Sequence, residues 1–303
     1  MDREKDMKIA FCYSGAVRYC EEVYTHNHKI LFDALDEAKI EYDIFWHAWE
    51  PNNELDKHNI YSDSRDLQLL LERVYNPKSI IIENIEKYNH IHPKYFGQHI
   101  SISRCIELAN THGNYDIKFK IRSDAVMRNL DTKRLIKLFN EIVDGRTLYP
   151  FNVIYTSALY YDFYQGNMGD YFLFSKSDIM DKWLTIKNVQ YVIDNYHTDK
   201  DIRQAVNTDS QNRVFLFMLK SAFVDEEQYN NPYFFMPFMN KDAVRIHTNG
   251  CFWEFLYRET MTVDDILPEN IHIGHRKFLE HVPTATAQKE AKGRFRRGDE
   301  FLF

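Results

Sequence analysis

The stretch KIAFCYSG, residues 8–15, decides the fold class of this chain. Its apolar run predicts a short buried strand, and the Ser14-Gly15 pair that closes it marks a sharp turn. Apolar residues then recur at helical spacing over residues 23–38, so we expect a long amphipathic helix directly after the turn. A strand, a tight turn and a helix in this order are the opening unit of an α/β fold.

The same alternation continues to about residue 125. Further strands are predicted at 42–46, 79–82 and 116–121, and helices at 67–74, ending at Asn76-Pro77, and at 100–111. This part of the chain therefore reads β-α-β-α-β-α-β, which indicates a mostly parallel sheet with helices on both faces. Because ligands of such sheets bind outside the carboxyl ends of the strands, we expect function in the turns after Tyr13, Trp46 and Ile121.

The second half of the chain is less regular and rich in aromatic residues. Its predicted elements are a helix at 135–142, a loop or strand pair at 149–164, a strand at 169–174, helices at 179–192 and about 208–223, and strands at 234–238 and 244–247. We expect Ser175 or Ser177 to cap the helix at 179–192. No linker separates two domains, so we predict a single domain at 1–286, with halves at 7–125 and 126–286, and a basic, mobile tail at 287–303.

Composition excludes several classes of protein. Of the 303 residues, 44% are hydrophobic and 27% charged, which is typical of a folded globular protein. A formal net charge of −7 argues against a globally basic nucleic-acid-binding protein. No apolar run approaches the roughly 20 residues that a membrane span needs. Four cysteines without a Cys-x-x-Cys pair and the lack of a secretory signal predict reduced thiols and a cytoplasmic protein.

The tail has two interpretations. Five basic residues crowd into it: Lys289, Lys292, Arg294, Arg296 and Arg297. Such a segment suits peripheral contact with the anionic inner face of a membrane, at about 1 kcal/mol for each basic residue. The commoner outcome for such a segment is a solvated chain terminus.

The sharpest candidate site is Arg122-Ser123-Asp124, at the end of the predicted fourth strand. A carboxylate there suits Mg²⁺ or Mn²⁺ carrying a diphosphate, because the phosphates and water supply the remaining ligands. Arg122 would pair with a phosphate oxygen. The alternative is that Asp124 caps the following turn and Arg122 is a solvated strand end.

A second candidate is the turn after the first strand. Gly15 allows a ligand to approach the backbone closely, and exposed amides here would meet phosphate or ribose. Neither a Gly-x-Gly-x-x-Gly nor a phosphate-loop motif is present, so dinucleotide-binding and ATPase-type loops are excluded. The alternative is a simple tight turn.

Three carboxylates and one histidine are further candidates in the second half. Asp162 and Asp170 lie in a loop with glycine and asparagine, where either would act as a general base, unless both are ordinary turn residues. Asp209 is an alternative at a helix start, where it would otherwise only stabilise the helix. His247 follows a predicted strand and would complete a metal or diphosphate site, unless it is a core histidine.

Taken together, these segments resemble the glycosyltransferases of GT-A type, especially the WavE-like group of bacterial and viral proteins that synthesise lipopolysaccharide and other polysaccharides. The resemblance covers about residues 7 to 220, and the order of the motifs is more specific than any one of them. It is carried by residues 8–15 with Arg18, by 43–49, by 115–124, and by 169–172 leading to Ser175 and Trp183.

This resemblance implies a single GT-A catalytic domain, built on a Rossmann-related twisted sheet, that uses a nucleotide-sugar donor and Mn²⁺ or Mg²⁺. Arg122-Ser123-Asp124 resembles a variant of the family's Asp-x-Asp metal motif, in which Arg122 would take over part of the phosphate neutralisation. Whether a metal is required therefore stays open. The acceptor would be a glycan or a lipid-linked glycan.

The candidate site residues, from the pattern and from the resemblance together, fall into three groups. The donor nucleotide would contact Tyr13, Ser14, Gly15, Arg18, Arg104, Arg122 and Ser123. Asp124 and His247 would bind the metal, and Asp170 or Asp162, with Asp209 as the alternative, would act as the base. Two other functions stay open: a nucleotidyltransferase that forms a nucleotide sugar, and a non-catalytic carbohydrate-binding protein on the same fold.

Overall fold

The computed structural model describes residues 7–17, 20–51, 63–91, 93–123, 132–145, 155–156, 172–200, 202–203, 214–215, 218 and 221–222. Over these residues a mixed, mostly parallel sheet is flanked by helices on both faces. The α/β fold class predicted from the alternating pattern is thereby confirmed. None of the described helices is long and apolar enough to cross a bilayer.

In the part of the chain that the structure describes, six strands form the sheet: β1 (Lys8–Gly15), β2 (Glu41–Trp49), β3 (Ser79–Glu83), β4 (Ile117–Ile121), β5 (Tyr155–Thr156) and β6 (Phe172–Lys176). Their order across the sheet is β3-β2-β1-β4-β6-β5. The first four strands run parallel, whereas β6 pairs antiparallel with β4 and β5 pairs antiparallel with β6. Because β6 runs antiparallel to β4, it ends beside the amino end of β4, and the chain continues from there directly into the next helix.

Helices cover the sheet on both sides. They are α1 (Cys20–Asn27), a π-helix (His28–Phe32), α2 (Asp33–Glu37), α3 (Ser64–Tyr75), a 3₁₀ segment (Ile85–Ile91), α4 (Pro93–Thr111), α5 (Thr132–Asp144), α6 (Ser177–Trp183) and α7 (Ile186–Asn195). Side chains of β1 alternate between the two cores, since Ala10 and Cys12 pack with α4, α6 and α7, while Phe11 and Tyr13 pack with α2, α3 and α5. Both faces of β1 are therefore buried, as its unbroken apolar run predicts.

Some predicted helices differ from the observed ones. The long helix expected over 23–38 is continuous but contains a π-type segment: α1, the π-helix and α2 follow one another without a break, and the junction residues Asn27, Phe32 and Asp33 all have right-handed helical backbone. The helix expected at 179–192 is divided into α6 and α7, because Thr185 adopts an extended backbone and its side chain accepts a hydrogen bond from the Asn188 amide, capping α7. By contrast, Asn76 ends α3 in the left-handed conformation (φ 42°), as expected before Pro77.

The predicted cap of α6 is wrong. Ser175 lies within β6, and the residue before the helix is Lys176, whose side chain makes no capping hydrogen bond. Ser177 is the first residue of α6, and its buried hydroxyl has no hydrogen-bond partner among the described residues. The strand runs directly into the helix, so Lys176, the last residue of β6, occupies the cap position in place of a serine.

The strand order places one crevice at a defined point. The chain moves outward from β1 through β2 to β3, and then returns to pair β4 with the opposite side of β1. Sheets of this kind bind their ligands where the order reverses, outside the carboxyl ends of the two strands concerned. Here that point lies between β1 and β4, beyond the register pair Tyr13 and Ile121.

Candidate functional site

The turns that follow β1 and β4 meet at the carboxyl edge of the sheet. Tyr13 and Ile121 are register partners, and the Ser123 hydroxyl donates a hydrogen bond of 3.1 Å to the Ala16 carbonyl. The structure thus joins the Ser14 turn to the segment that leads into Asp124. We call residues 14–16 together with 122–123 the edge site.

Gly15 is required at the edge site by its backbone conformation. Its φ of 101° lies in the left-handed region that side chains with a Cβ disfavour. A Cβ built at Gly15 would meet no described atom within 4 Å, so space is not the constraint. Gly15 itself is buried, and the exposed residue of this turn is Ala16.

Ser14 supplies a buried polar group that the described protein leaves unpaired. Ser14 is only 6% exposed, and its hydroxyl has no hydrogen-bond partner among the described residues. Leaving such a group unsatisfied costs about 1–3 kcal/mol. At the edge where ligands of this kind of sheet bind, the hydroxyl is well placed to bind a ligand oxygen.

The other described members of the edge site are a cation and a second hydroxyl. Arg122 is half-buried, and Ser123 is buried and tied to Ala16. A guanidinium suits phosphate or carboxylate oxygens rather than a metal ion, whereas the proton of the Ser123 hydroxyl is already donated to the Ala16 carbonyl. Within the described ranges there is no cluster of three or more His, Cys, Asp or Glu residues that could hold a metal.

Six of the predicted site residues lie outside the described residues. They are Arg18, Asp124, Asp162, Asp170, Asp209 and His247. The metal-binding and general-base roles assigned to them therefore stay predictions.

Tyr13 packs into the core beneath the edge site. Its ring stacks on Trp46 with 5.1 Å between centroids, and Tyr75 contacts both rings edge-on. The residue is 1% exposed, and burial raises the pKa of its hydroxyl well above the ordinary value. The geometry assigns this ring to packing between β1, β2 and α3, whereas its role in donor binding stays a prediction.

Arg104 is engaged by two carboxylates. From α4, its Nη2 atom lies 3.1 Å from Glu83 Oε1, its Nε atom 3.3 Å from Glu83 Oε2, and its Nη1 atom 2.8 Å from Glu107 Oε2. The guanidinium charge is thus compensated within the protein. Binding of the donor nucleotide by Arg104 stays a prediction, and it would require competition with these two partners.

A buried polar network that the sequence did not reveal links β2, β3 and α4. His47 Nε2 lies 3.0 Å from Glu83 Oε2, and His47 Nδ1 lies 2.8 Å from the Ser101 hydroxyl. Tyr88 donates a 3.0 Å hydrogen bond to the same carboxylate. The only sequence signal was one polar residue, His47, within an otherwise apolar and aromatic strand end.

The network is neutral at His47 and ionised at Glu83 near neutral pH. Burial lowers the pKa of His47, and hydrogen bonds from His47 and Arg104 hold the pKa of Glu83 well below its ordinary value. The Nε2–H group of the neutral imidazole therefore donates to the carboxylate, which fixes the tautomer. Because Ser14 pairs with His47 in the sheet, this network braces the strand beside the edge site.

We expect this network to make the fold sensitive to acid. Both pKa values are lower in the folded chain than in the unfolded chain, so the unfolded chain binds more protons below pH about 6.5 for His47 and below about 4.5 for Glu83. The free energy of unfolding should therefore fall as the pH is lowered from 7 to 4, measured by urea unfolding at each pH.

Two histidine variants separate this effect from general acid sensitivity. His47→Gln removes the buried imidazole, so its free energy of unfolding should change less between pH 7 and pH 5.5 than that of the wild type. His197→Gln removes an exposed imidazole and should leave the dependence as in the wild type. The same slope in all three proteins would contradict the assignment.

Comparison with known proteins adds no family to this geometry: a scan against protein-family models finds no match, and a search of curated proteins finds none either.

Proposed function

We propose that this protein is a glycosyltransferase of GT-A type, which moves a sugar from a nucleotide-sugar donor to a glycan or lipid-linked glycan acceptor. The observation that carries the proposal is the junction of the Ser14 turn with Ser123 at the reversal of strand order. It brings the Gly15 turn, the Ser14 hydroxyl, which has no partner among the described residues, and Arg122 to one edge. The resemblance to the WavE-like group supplies the substrate class.

The edge site would hold the diphosphate of the donor. Sugar transfer breaks the bond between the anomeric carbon and a phosphate oxygen, so negative charge develops on the leaving nucleoside diphosphate. Arg122 and the Ser14 hydroxyl would stabilise that charge through preorganised hydrogen bonds. The Ser123 hydroxyl, whose proton is donated to the Ala16 carbonyl, would hold the two turns together. Placing these donors on a rigid sheet edge limits the reorganisation needed during the reaction.

Residues in the second half of the chain would activate the acceptor. The anomeric carbon becomes oxocarbenium-like as the leaving group departs. An inverting enzyme would need a carboxylate to take the proton of the acceptor hydroxyl, and Asp170 or Asp162, with Asp209 as the alternative, would do so. A retaining enzyme would need no such base.

A divalent cation is part of the proposal only through Asp124 and His247. Mn²⁺ or Mg²⁺ held there would neutralise charge on the diphosphate. The described edge residues suit phosphate oxygens and do not by themselves form a metal site. We further propose that the protein acts in the cytoplasm at the inner face of a membrane, which its basic tail would contact.

The deciding experiment is a thermal-shift screen across nucleoside diphosphates, with and without Mn²⁺. At a concentration about 100 times Kd, a binding nucleotide should stabilise the fold by roughly 2.7 kcal/mol. Stabilisation by glycans but by no nucleotide would contradict the proposal and favour a carbohydrate-binding protein. Release of pyrophosphate from a nucleoside triphosphate and a sugar phosphate would instead identify a nucleotidyltransferase.

Two serine variants locate the binding in that screen. Ser14→Ala removes the hydroxyl at the edge site, and Ser103→Ala removes an equally buried hydroxyl on α4 that also has no partner among the described residues. Both proteins should fold with near-normal stability, since neither change breaks a described hydrogen bond. Only Ser14→Ala should reduce the stabilisation by nucleotide.

A further inference from the structure

The buried Ser101 hydroxyl on α4 has two acceptors within reach, and both of them belong to His47. Its oxygen lies 2.8 Å from His47 Nδ1 and 3.2 Å from the His47 carbonyl oxygen. A serine hydroxyl has a single proton to donate, together with lone pairs that accept. A full hydrogen bond to one of the two acceptors therefore leaves the other without this proton.

The protonation state of the imidazole decides between the two acceptors. In the neutral ring Nε2 donates to Glu83, so Nδ1 carries a lone pair and accepts the Ser101 proton. In the charged ring both nitrogens carry protons. Nδ1–H then donates to the Ser101 oxygen, and the Ser101 proton turns to the His47 carbonyl. Rotation of one hydroxyl converts the first pattern into the second, and both ring nitrogens stay hydrogen-bonded throughout.

The charges around His47 favour uptake of a proton, whereas burial of the ring opposes it. The Glu83 carboxylate on β3 lies 3.0 Å from Nε2, and its side chain is only 11% exposed. The Arg104 guanidinium on α4 is shared between Glu83 and Glu107. Two carboxylates thus face one cation, and a charged imidazole would balance the excess of negative charge.

A phenol and two thiols complete the titratable surroundings of His47. Tyr88, from the 3₁₀ segment, donates its hydroxyl to Glu83, and burial raises the pKa of that hydroxyl. Burial also raises the pKa of the Cys105 thiol on α4, which contacts the buried Cys12 of β1. The charge balance at the imidazole is therefore set by the carboxylates and the guanidinium.

We propose that Ser101 is a hydroxyl switch, which lets His47 take up a proton while the protein stays folded. The charged form ties α4 to β2 by two hydrogen bonds of Ser101, one from the ring and one to the carbonyl, where the neutral form has one. The fold as a whole still loses free energy of unfolding as the pH falls, because the unfolded chain binds the proton more tightly. The inference is independent of the proposed function, since it concerns a network that touches no ligand.

NMR of the protein labelled with ¹⁵N-histidine tests the proton uptake. The ring nitrogens of His47 are the signals missing from His47→Gln. At pH 7.5 they should report a neutral ring with its proton on Nε2. On acidification they should pass to the charged form at a midpoint below the ordinary pKa of histidine, while circular dichroism shows an intact fold. A ring that stays neutral until the protein unfolds would overturn the inference.

The rotation of the Ser101 hydroxyl has its own readout in the wild type. The ¹³C signal of the His47 carbonyl, which gains a hydrogen bond in the charged form, should shift with the same midpoint as the ring nitrogens. This measurement needs no substitution at Ser101, so a folding defect in a variant does not affect it. A carbonyl signal that stays in place while the ring titrates would show that the hydroxyl does not turn, and the switch would be rejected.

Ser101→Ala tests the direction of the effect. Without the hydroxyl, the charged ring loses the acceptor of Nδ1–H, and a hydrogen bond of a charged group is worth more than that of the neutral ring. The midpoint of His47 should therefore move to lower pH. Ser103→Ala removes an equally buried hydroxyl from α4 that has no partner among the described residues, and it should leave the midpoint unchanged. A higher midpoint in Ser101→Ala, or equal shifts in both variants, would contradict the switch.

Discussion

Replacing Asp124 by asparagine is expected to lower the rate of sugar transfer by about a hundredfold or more. The substitution keeps the size of the side chain and one hydrogen-bonding oxygen, but it removes the negative charge that would hold a divalent cation at the diphosphate. Ser123, the preceding residue, is fixed to Ala16, so the chain leaves β4 at the edge site. The measurements are the rate of donor hydrolysis and the binding of nucleoside diphosphate with Mn²⁺.

Asp116→Asn is the matched control for this experiment. Asp116 immediately precedes β4 at the opposite edge of the sheet, where its carboxylate accepts a 2.9 Å hydrogen bond from the Lys8 amide. Asparagine can still accept that bond, so activity should stay within about twofold of the wild type. Unchanged rate and binding in Asp124→Asn would remove Asp124 from the site.

Replacing Glu83 by alanine is expected to lower the free energy of unfolding by about 3 kcal/mol. The change leaves the His47 imidazole, the Tyr88 hydroxyl and the Arg104 guanidinium without their shared acceptor. The Glu83 side chain is only 11% exposed, so water replaces it poorly. Urea unfolding at pH 7 gives the free energy directly.

Glu107→Ala provides the comparison, because Glu107 binds the same Arg104 from a side chain that is 41% exposed. An exposed ion pair contributes about 1 kcal/mol or less, so this variant should stay close to the wild type. If Glu83→Ala and Glu107→Ala lose similar amounts of unfolding free energy, burial does not strengthen the contacts of Glu83. A further check is that nucleotide binding of the folded fraction should persist in Glu107→Ala.

The local pattern predicted the elements that depend on neighbouring residues. The apolar run of β1 indicated a strand buried on both faces, and Asn76-Pro77 marked the end of α3; both are confirmed. These features follow from side-chain periodicity and backbone preferences, which act over a few residues. The expectation that a functional edge lies beyond Tyr13 and Ile121 followed from a general property of parallel sheets.

Local sequence patterns did not predict which charged residues are buried. The alternation in residues 116–121 suggests a strand with a polar face, yet all five residues of β4 are buried. Helices α4 and α6 cover that face, and Asp181 provides the countercharge for Lys118. Because Asp181 lies 63 residues away in sequence, no local pattern of lysines predicts this pairing.

The amino-acid sequence, read without coordinates, was sufficient for the succession of strands and helices up to Ile121 and for the turn at Gly15, since each depends on short-range sterics and periodicity. Folding in three dimensions was needed to pair β4 with β1, to reverse β6, and to gather His47 and Arg104 around the Glu83 carboxylate. These arrangements depend on hydrogen bonds and burial between residues far apart in the chain. For that reason the unpaired Ser14 hydroxyl and the buried lysines became visible only once the sheet was assembled.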